Sequence, residues 1–192
     1  MSGSGPRPFE ADQRLAQTLY QLDVSRPFER WTVLARTAGA SPAISVADLG
    51  LRPGEAYHAF DFWQQRYLGT FVDSLRLAPV DPVGVQVVCI RAPASHPQVL
   101  ASNRHVSCGG VDLLDVRWSA TSSSGRSTVV GNDDYVCFLT EATRLDSGGC
   151  IGNSAAARLE GYRDGARRVV LRSQASGVVT WTITYHHEGE HD

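Results

Sequence analysis

The chain has 192 residues, 18 of them Arg and none Lys, against 20 Asp plus Glu, for a formal net charge of -2; this length fits one mid-sized domain or two small ones. With 42% hydrophobic and 20% charged residues it carries enough apolar side chain for a core, which excludes wholesale disorder. A balanced charge whose longest basic run is the pair Arg167 and Arg168 argues against a nucleic-acid partner, and the absence of Lys removes Schiff-base and Walker-lysine chemistry.

The opening Met1-Ser2-Gly3-Ser4-Gly5-Pro6 lacks the apolar stretch of a signal peptide and reads as a flexible leader over residues 1–12. A helical look is confined to Ala11 to Tyr20, where Leu15 and Leu19 stand four apart. Trp31 to Ala35 begins a series of strands, and Tyr57 to Trp63 follows the Pro53-Gly54 turn signal. Leu75 to Leu77 and Val83 to Ile90 continue it, bounded by Pro79, Pro82 and Gly84. The densest apolar run, Val85 to Ile90, is interrupted by Gln86 and falls far short of the roughly 18 residues of a membrane span. No membrane partner and a cytoplasmic location are therefore expected, unless the chain is a piece of a longer protein with its address elsewhere.

Pro93 and Pro97 bracket a joint between two halves. Beyond it, Leu114, Val116 and Trp118 alternate with Asp115 and Arg117, and Tyr135 to Thr140 and Arg168 to Arg172 form further short strands. The clearest alternation is Val179, Trp181, Ile183 and Tyr185 against Thr180, Thr182 and Thr184, a half-buried antiparallel strand with one apolar and one hydroxyl face. Short strands at this spacing, without crossover helices, predict an all-β fold of two small antiparallel β-sandwich subdomains, with one short N-terminal helix or irregular segment. The boundaries read as a leader over 1–12, sandwiches over 13–93 and 94–186, and a tail over 187–192.

Four cysteines, Cys89, Cys108, Cys137 and Cys150, lie 19, 29 and 13 positions apart, which is not the close pairing of a zinc site. Cys89 and Cys137 sit inside apolar strands and read as small buried hydrophobes; Cys137 and Cys150 could close a loop in an exported protein. Asp146-Ser147-Gly148-Gly149 invites a serine-nucleophile reading with His105 as base and Asp115 as orienter, but His105 and Ser147 are only 42 positions apart, and a flexible turn is the simpler reading. Gly148, Gly149 and Gly152 do not form a phosphate-binding fingerprint. The tail from His186 to Asp192 has the donor types of a metal site without a rigid support. No cofactor and no metal are expected. Six aromatic residues, Tyr57, Phe60, Phe62, Trp63, Tyr67 and Phe71, fall within fifteen positions, either as core filling or as rings that stack on sugars. Asp61, between Phe60 and Phe62, points to the opposite face from them and could anchor a neighbouring loop.

Asp48-Leu49-Gly50-Leu51, the run Tyr57 to Trp63 and Tyr67-Leu68-Gly69 together resemble the C-terminal β-domain of alpha-galactosidase-like (melibiase-type) glycoside hydrolases. His96 to Leu100, Asn103-Arg104-His105-Val106, Gly110 to Leu113 and the ending Ser176 to Trp181 extend the likeness over most of the chain. Arg36-Thr37-Ala38 and Ser107-Cys108-Gly109 depart from the pattern. The resemblance implies a non-catalytic accessory β-sandwich region whose partner is a catalytic (β/α)8 barrel or another subunit; the barrel, with its two carboxylates, would precede this region. Asp112 with Asp115 and Asp133 with Asp134 are accordingly read as strand-face and turn carboxylates. The alternative is a stand-alone carbohydrate-binding module, with Trp63 and Tyr67 as the aromatic platform and Asp61 and His105 as polar partners.

Overall fold

The computed structural model describes residues 7–8, 18–141 and 146–186, and all of its sheets are antiparallel. The chain forms two compact units: residues 1–25 with 30–93, and residues 26–29 with 94–192. The expected N-terminal helix falls mostly outside the described residues. Of its last three positions, which are described, Leu19 and Tyr20 open a strand instead, paired to Arg36 and Ala35. Within the leader, Arg7 and Pro8 pair with Gln21 and Tyr20.

The first unit is built on a six-stranded sheet in the order β1 (Arg7–Pro8), β2 (Leu19–Ser25), β3 (Arg30–Thr37), β8 (Val85–Arg91), β5 (Ala56–Asp61) and β6 (Arg66–Val72). A two-stranded ribbon, β4 (Ala43–Ser45) with β7 (Ser74–Arg76), covers one face. The alternation of β3, β5 and β8 sends Leu34, Tyr57, Ala59, Val88 and Ile90 to that face, where they pack against Ile44, Val46, Leu49, Leu75 and Leu77.

The same face carries a buried polar relay. Arg36 and Gln86 are directly paired across β3 and β8. Arg36 is fully buried; its Nε donates to Gln86 Oε1 at 2.8 Å, its Nη1 to the Ser41 carbonyl at 2.8 Å, and its Nη2 to the Ala78 carbonyl. Gln86 Nε2 in turn donates to Asp61 Oδ2 at 2.7 Å. Burial draws the Arg36 guanidinium below its ordinary pKa, and the Asp61 carboxylate opposes the shift.

The second unit is a β-sandwich. One sheet runs β10 (Leu113–Trp118), β11 (Ser122–Val129), β16 (Gly177–His186), β13 (Asp146–Gly152); the other runs β14 (Ala156–Arg163), β15 (Ala166–Arg172), β12 (Asp134–Thr140), β9 (Gln98–Ser102). Val179, Trp181, Ile183 and Tyr185 enter the core together, as their period of two requires, and meet Val99, Tyr135, Cys137, Leu139, Val169 and Leu171. The alternation expected of β10 is shifted. A β-bulge between Leu113 and Asp115 puts Leu113, rather than Leu114, in the core with Val116. The DSGG stretch, read as a flexible turn, is the start of β13, whose register also shifts between Ser147 and Gly149.

Candidate functional site

β5 ends at Asp61, and the chain turns through Phe62-Trp63-Gln64-Gln65, with the Gln65 amide donating to the Phe62 carbonyl at 3.3 Å. Trp63 therefore occupies a corner of the turn and faces water: it is 58% exposed, held edge-on against Phe62 with ring centroids 4.9 Å apart. The strand alternation that buries Phe60 stops here, so Tyr57, Phe60 and Phe62 fill the interior while Trp63 does not.

Tyr67 lies opposite Phe60 at the start of β6. A register shift between Ala59 and Phe60, made with Gly69 at φ 95°, sends Leu68 toward the core and leaves Tyr67 facing the other way. There its hydroxyl meets His58 Nδ1 at 2.8 Å, the two rings edge to face. Partial burial lowers the His58 pKa and raises that of Tyr67, so both groups are held neutral, as hydrogen-bonding rather than ionic partners. An exposed indole and a neutral phenol–imidazole pair on one hairpin can stack on an apolar ligand face and exchange hydrogen bonds with hydroxyls.

Two of the expected site residues do not join them. Asp61 is 1% exposed and spends both carboxylate oxygens internally, Oδ1 on the Gln64 amide at 2.9 Å and Oδ2 on Gln86. It anchors the turn that presents Trp63 and has no oxygen free for a ligand. His105 belongs to the second unit, where it is exposed and its Nδ1 contacts Ser107 Oγ at 2.8 Å and accepts from the Ser107 amide at 3.1 Å. Phe71, the last ring of the aromatic cluster, packs against the first unit's core.

The carboxylate pairs singled out in the sequence, Asp112 with Asp115 and Asp133 with Asp134, have local partners. Asp115 pairs with Arg117 at 2.9 Å, Asp133 with Arg104 at 2.7 Å, and Asp134 with Arg172 at 2.9 Å. Asp112 is buried and accepts from Tyr135 Oη at 2.7 Å. The side chains of Asp146 and Ser147 lie outside the described residues, as does the tail 187–192. Among the described residues, no group of three or more His, Cys, Asp or Glu is gathered as a metal ion would need. Cys89, Cys108, Cys137 and Cys150 are not joined in disulfides, and the first three are buried. Among the described residues, no helix is long and apolar enough to cross a membrane.

Sequence reading missed a second exposed indole. Trp118, at the end of β10, is 55% exposed and stacks on His96, with ring centroids 4.4 Å apart and planes 14° from parallel. The two residues are far apart in sequence, and only the sandwich brings them together. At the opposite end of this unit, the loops around Ser154 and Gln174 enclose a cleft of about 520 Å³ that Arg172 and Val178 also line. No protein-family model matches the chain, and no curated protein matches its sequence. The likeness to the melibiase-type region thus rests on the short phrases quoted above.

Proposed function

We propose that this chain is a non-catalytic accessory β-sandwich protein that contacts carbohydrate through Trp63, with Tyr67 and His58 as neutral polar neighbours. The observation that carries the reading is the exposure of Trp63 at a turn corner. Burying an indole is favourable, so a ring fixed by Phe62 and left open to water is placed for a partner with its own apolar face. Pyranose rings have such faces, edged with hydroxyls that neutral donors and acceptors can meet. The resemblance to the end of melibiase-type glycosidases supports the same ligand class and suggests a catalytic barrel as the companion.

The test is a titration of the chain with galacto-, gluco- and manno-oligosaccharides, read by calorimetry or NMR. Saturable binding weakened by Trp63→Ala and retained by Asp61→Asn supports the reading, provided both variants stay folded. No binding at millimolar sugar sinks it.

A second reading, mechanical support of a barrel or subunit, is favoured by a different feature. Val72, Val83 and Val85 of the first unit are 48%, 100% and 51% exposed, apolar groups suited to a protein contact. Under this reading sedimentation reports self-association that Val83→Asp together with Val85→Asp removes, and sugar has no effect.

A further inference from the structure

The second unit carries a ring platform of its own. Trp118 ends β10 and His96 precedes β9, so the pair stands at the open side of the sandwich where both strands are sheet edges. With His96 covering one face of the indole, the 55% exposure of Trp118 corresponds to the other face lying open to water. His96 is itself tethered, its Nδ1 against the Pro97 carbonyl at 2.9 Å. The stack therefore holds the indole in a fixed plane before any ligand arrives, which lowers the ordering cost of binding.

Its polar surroundings narrow the ligand class. The turn following Trp118 is hydroxyl-rich and internally braced: Ser119 Oγ and Ser122 Oγ are 2.9 Å apart, and Ser119 Oγ also accepts from the amides of Thr121 and Ser122 at 3.3 and 3.1 Å. Arg117, next to Trp118 in the chain, alternates to the other face of β10, where it pairs with Asp115 at 2.9 Å. A flat apolar face bordered by Ser and Thr hydroxyls, with the nearest chain cation turned to the other side of the strand, suits a neutral polyhydroxylated ring better than a phosphate-bearing nucleotide, which would need positive charge beside the ring.

We propose that Trp118, backed by His96 and flanked by the Ser119–Ser122 turn, is a second and independent binding subsite for a neutral pyranoside. This rests on the carbohydrate reading above but on different residues, in the other unit.

The chain contains four Trp, of which Trp31 and Trp181 are buried and Trp63 and Trp118 exposed. The full chain labelled with 5-fluorotryptophan should give a separate fluorine NMR signal for each, assigned with Trp63→Phe and Trp118→Phe. Titration with neutral galacto-, gluco- and manno-oligosaccharides should shift the Trp118 signal saturably. His96→Ala should weaken that response about tenfold while the Trp31 and Trp181 signals stay in place as evidence of folding. Trp63→Ala should leave the Trp118 response unchanged. A Trp63 signal that moves while Trp118 does not would overturn the second subsite and leave the first reading standing. Movement of neither indole would remove both, and an equal response of Trp118 to adenosine monophosphate would overturn the assignment to neutral sugars.

Discussion

The indole of Trp181 lies across the bare α-carbon of Gly125 on the neighbouring strand, with three ring carbons at 3.0 Å or less from where a side chain would begin. The ring is fixed there by its Nε1, which donates to Ser127 Oγ at 3.1 Å, with both residues buried. Gly125 thus sits mid-strand because β16 needs room for its largest side chain. Gly125→Ala is expected to destabilise the second unit by about 2–3 kcal/mol through overpacking, and Ser127→Ala by about 1–3 kcal/mol by leaving the indole N–H unpaired. Urea denaturation followed by Trp fluorescence measures both.

In the first unit, Asp61→Leu removes the acceptor for both Gln86 and the Gln64 amide and strips the Arg36 relay of its only nearby negative charge named above. The expected loss is about 3–5 kcal/mol, whereas Asp61→Asn, which keeps an acceptor, should cost clearly less. If Asp61→Leu leaves the urea midpoint unchanged, the relay contributes nothing.

Burial raises the Cys137 thiol to about 12, the Cys150 thiol to about 11 and the Tyr185 phenol to about 12. In the unfolded chain these groups ionise in their ordinary ranges, so above that point the unfolded state releases protons that the folded state retains. Their contribution is therefore complete below the unfolded values and lost as pH rises from about 9 toward 12, with the buried Cys137 adding a slope of up to about 1.4 kcal/mol per pH unit. Chemical denaturation across this range should show the decline, and Cys137→Ala should flatten it. In the native state at pH 8, Ellman's reagent should leave Cys137 unmodified.

His58 gives the opposite dependence. Its pKa is lowered by burial, so the unfolded chain takes up a proton more readily than the folded one. The first unit is therefore expected to lose stability as pH falls through the ordinary His range near 6.5, an effect that His58→Gln should reduce. A melting midpoint for the wild type that is flat between pH 7.5 and 5 and matches the variant's would contradict this.

The all-β character was legible wherever one face of a strand is buried and the other wet. β16 shows this best, with Val179, Trp181, Ile183 and Tyr185 on one side and three threonines on the other. β11, Ser122 to Val129, was not legible, because a run of Ser and Gly has little strand propensity of its own. It is held by pairing on both sides, to β10 and β16, and by the fit of Gly125 beneath Trp181. The bulge at Leu113 and Asp115 was equally hidden, since an unpaired extra residue leaves no mark on composition. Of the aromatic cluster, the sequence could place the rings near one another but could not separate Trp63 from Phe60 and Phe62. That distinction depends on where β5 stops, which the Asp61 carboxylate decides by accepting from the Gln64 amide. The Trp118–His96 stack could not be seen at all without the pairing of distant strands.

The position of β16 has a consequence for synthesis. Every strand of the first unit precedes Pro93, so that unit can close as soon as β8 has left the ribosome. The second must wait. Of that unit's described strands β16 emerges last, yet it lies between β11 and β13 and supplies Trp181 to the core. A nascent chain that has reached only Arg172 thus holds β11 open along one edge and β13 without the strand it pairs with. Over that interval the half-made sandwich is the form most exposed to chaperone capture and proteolysis.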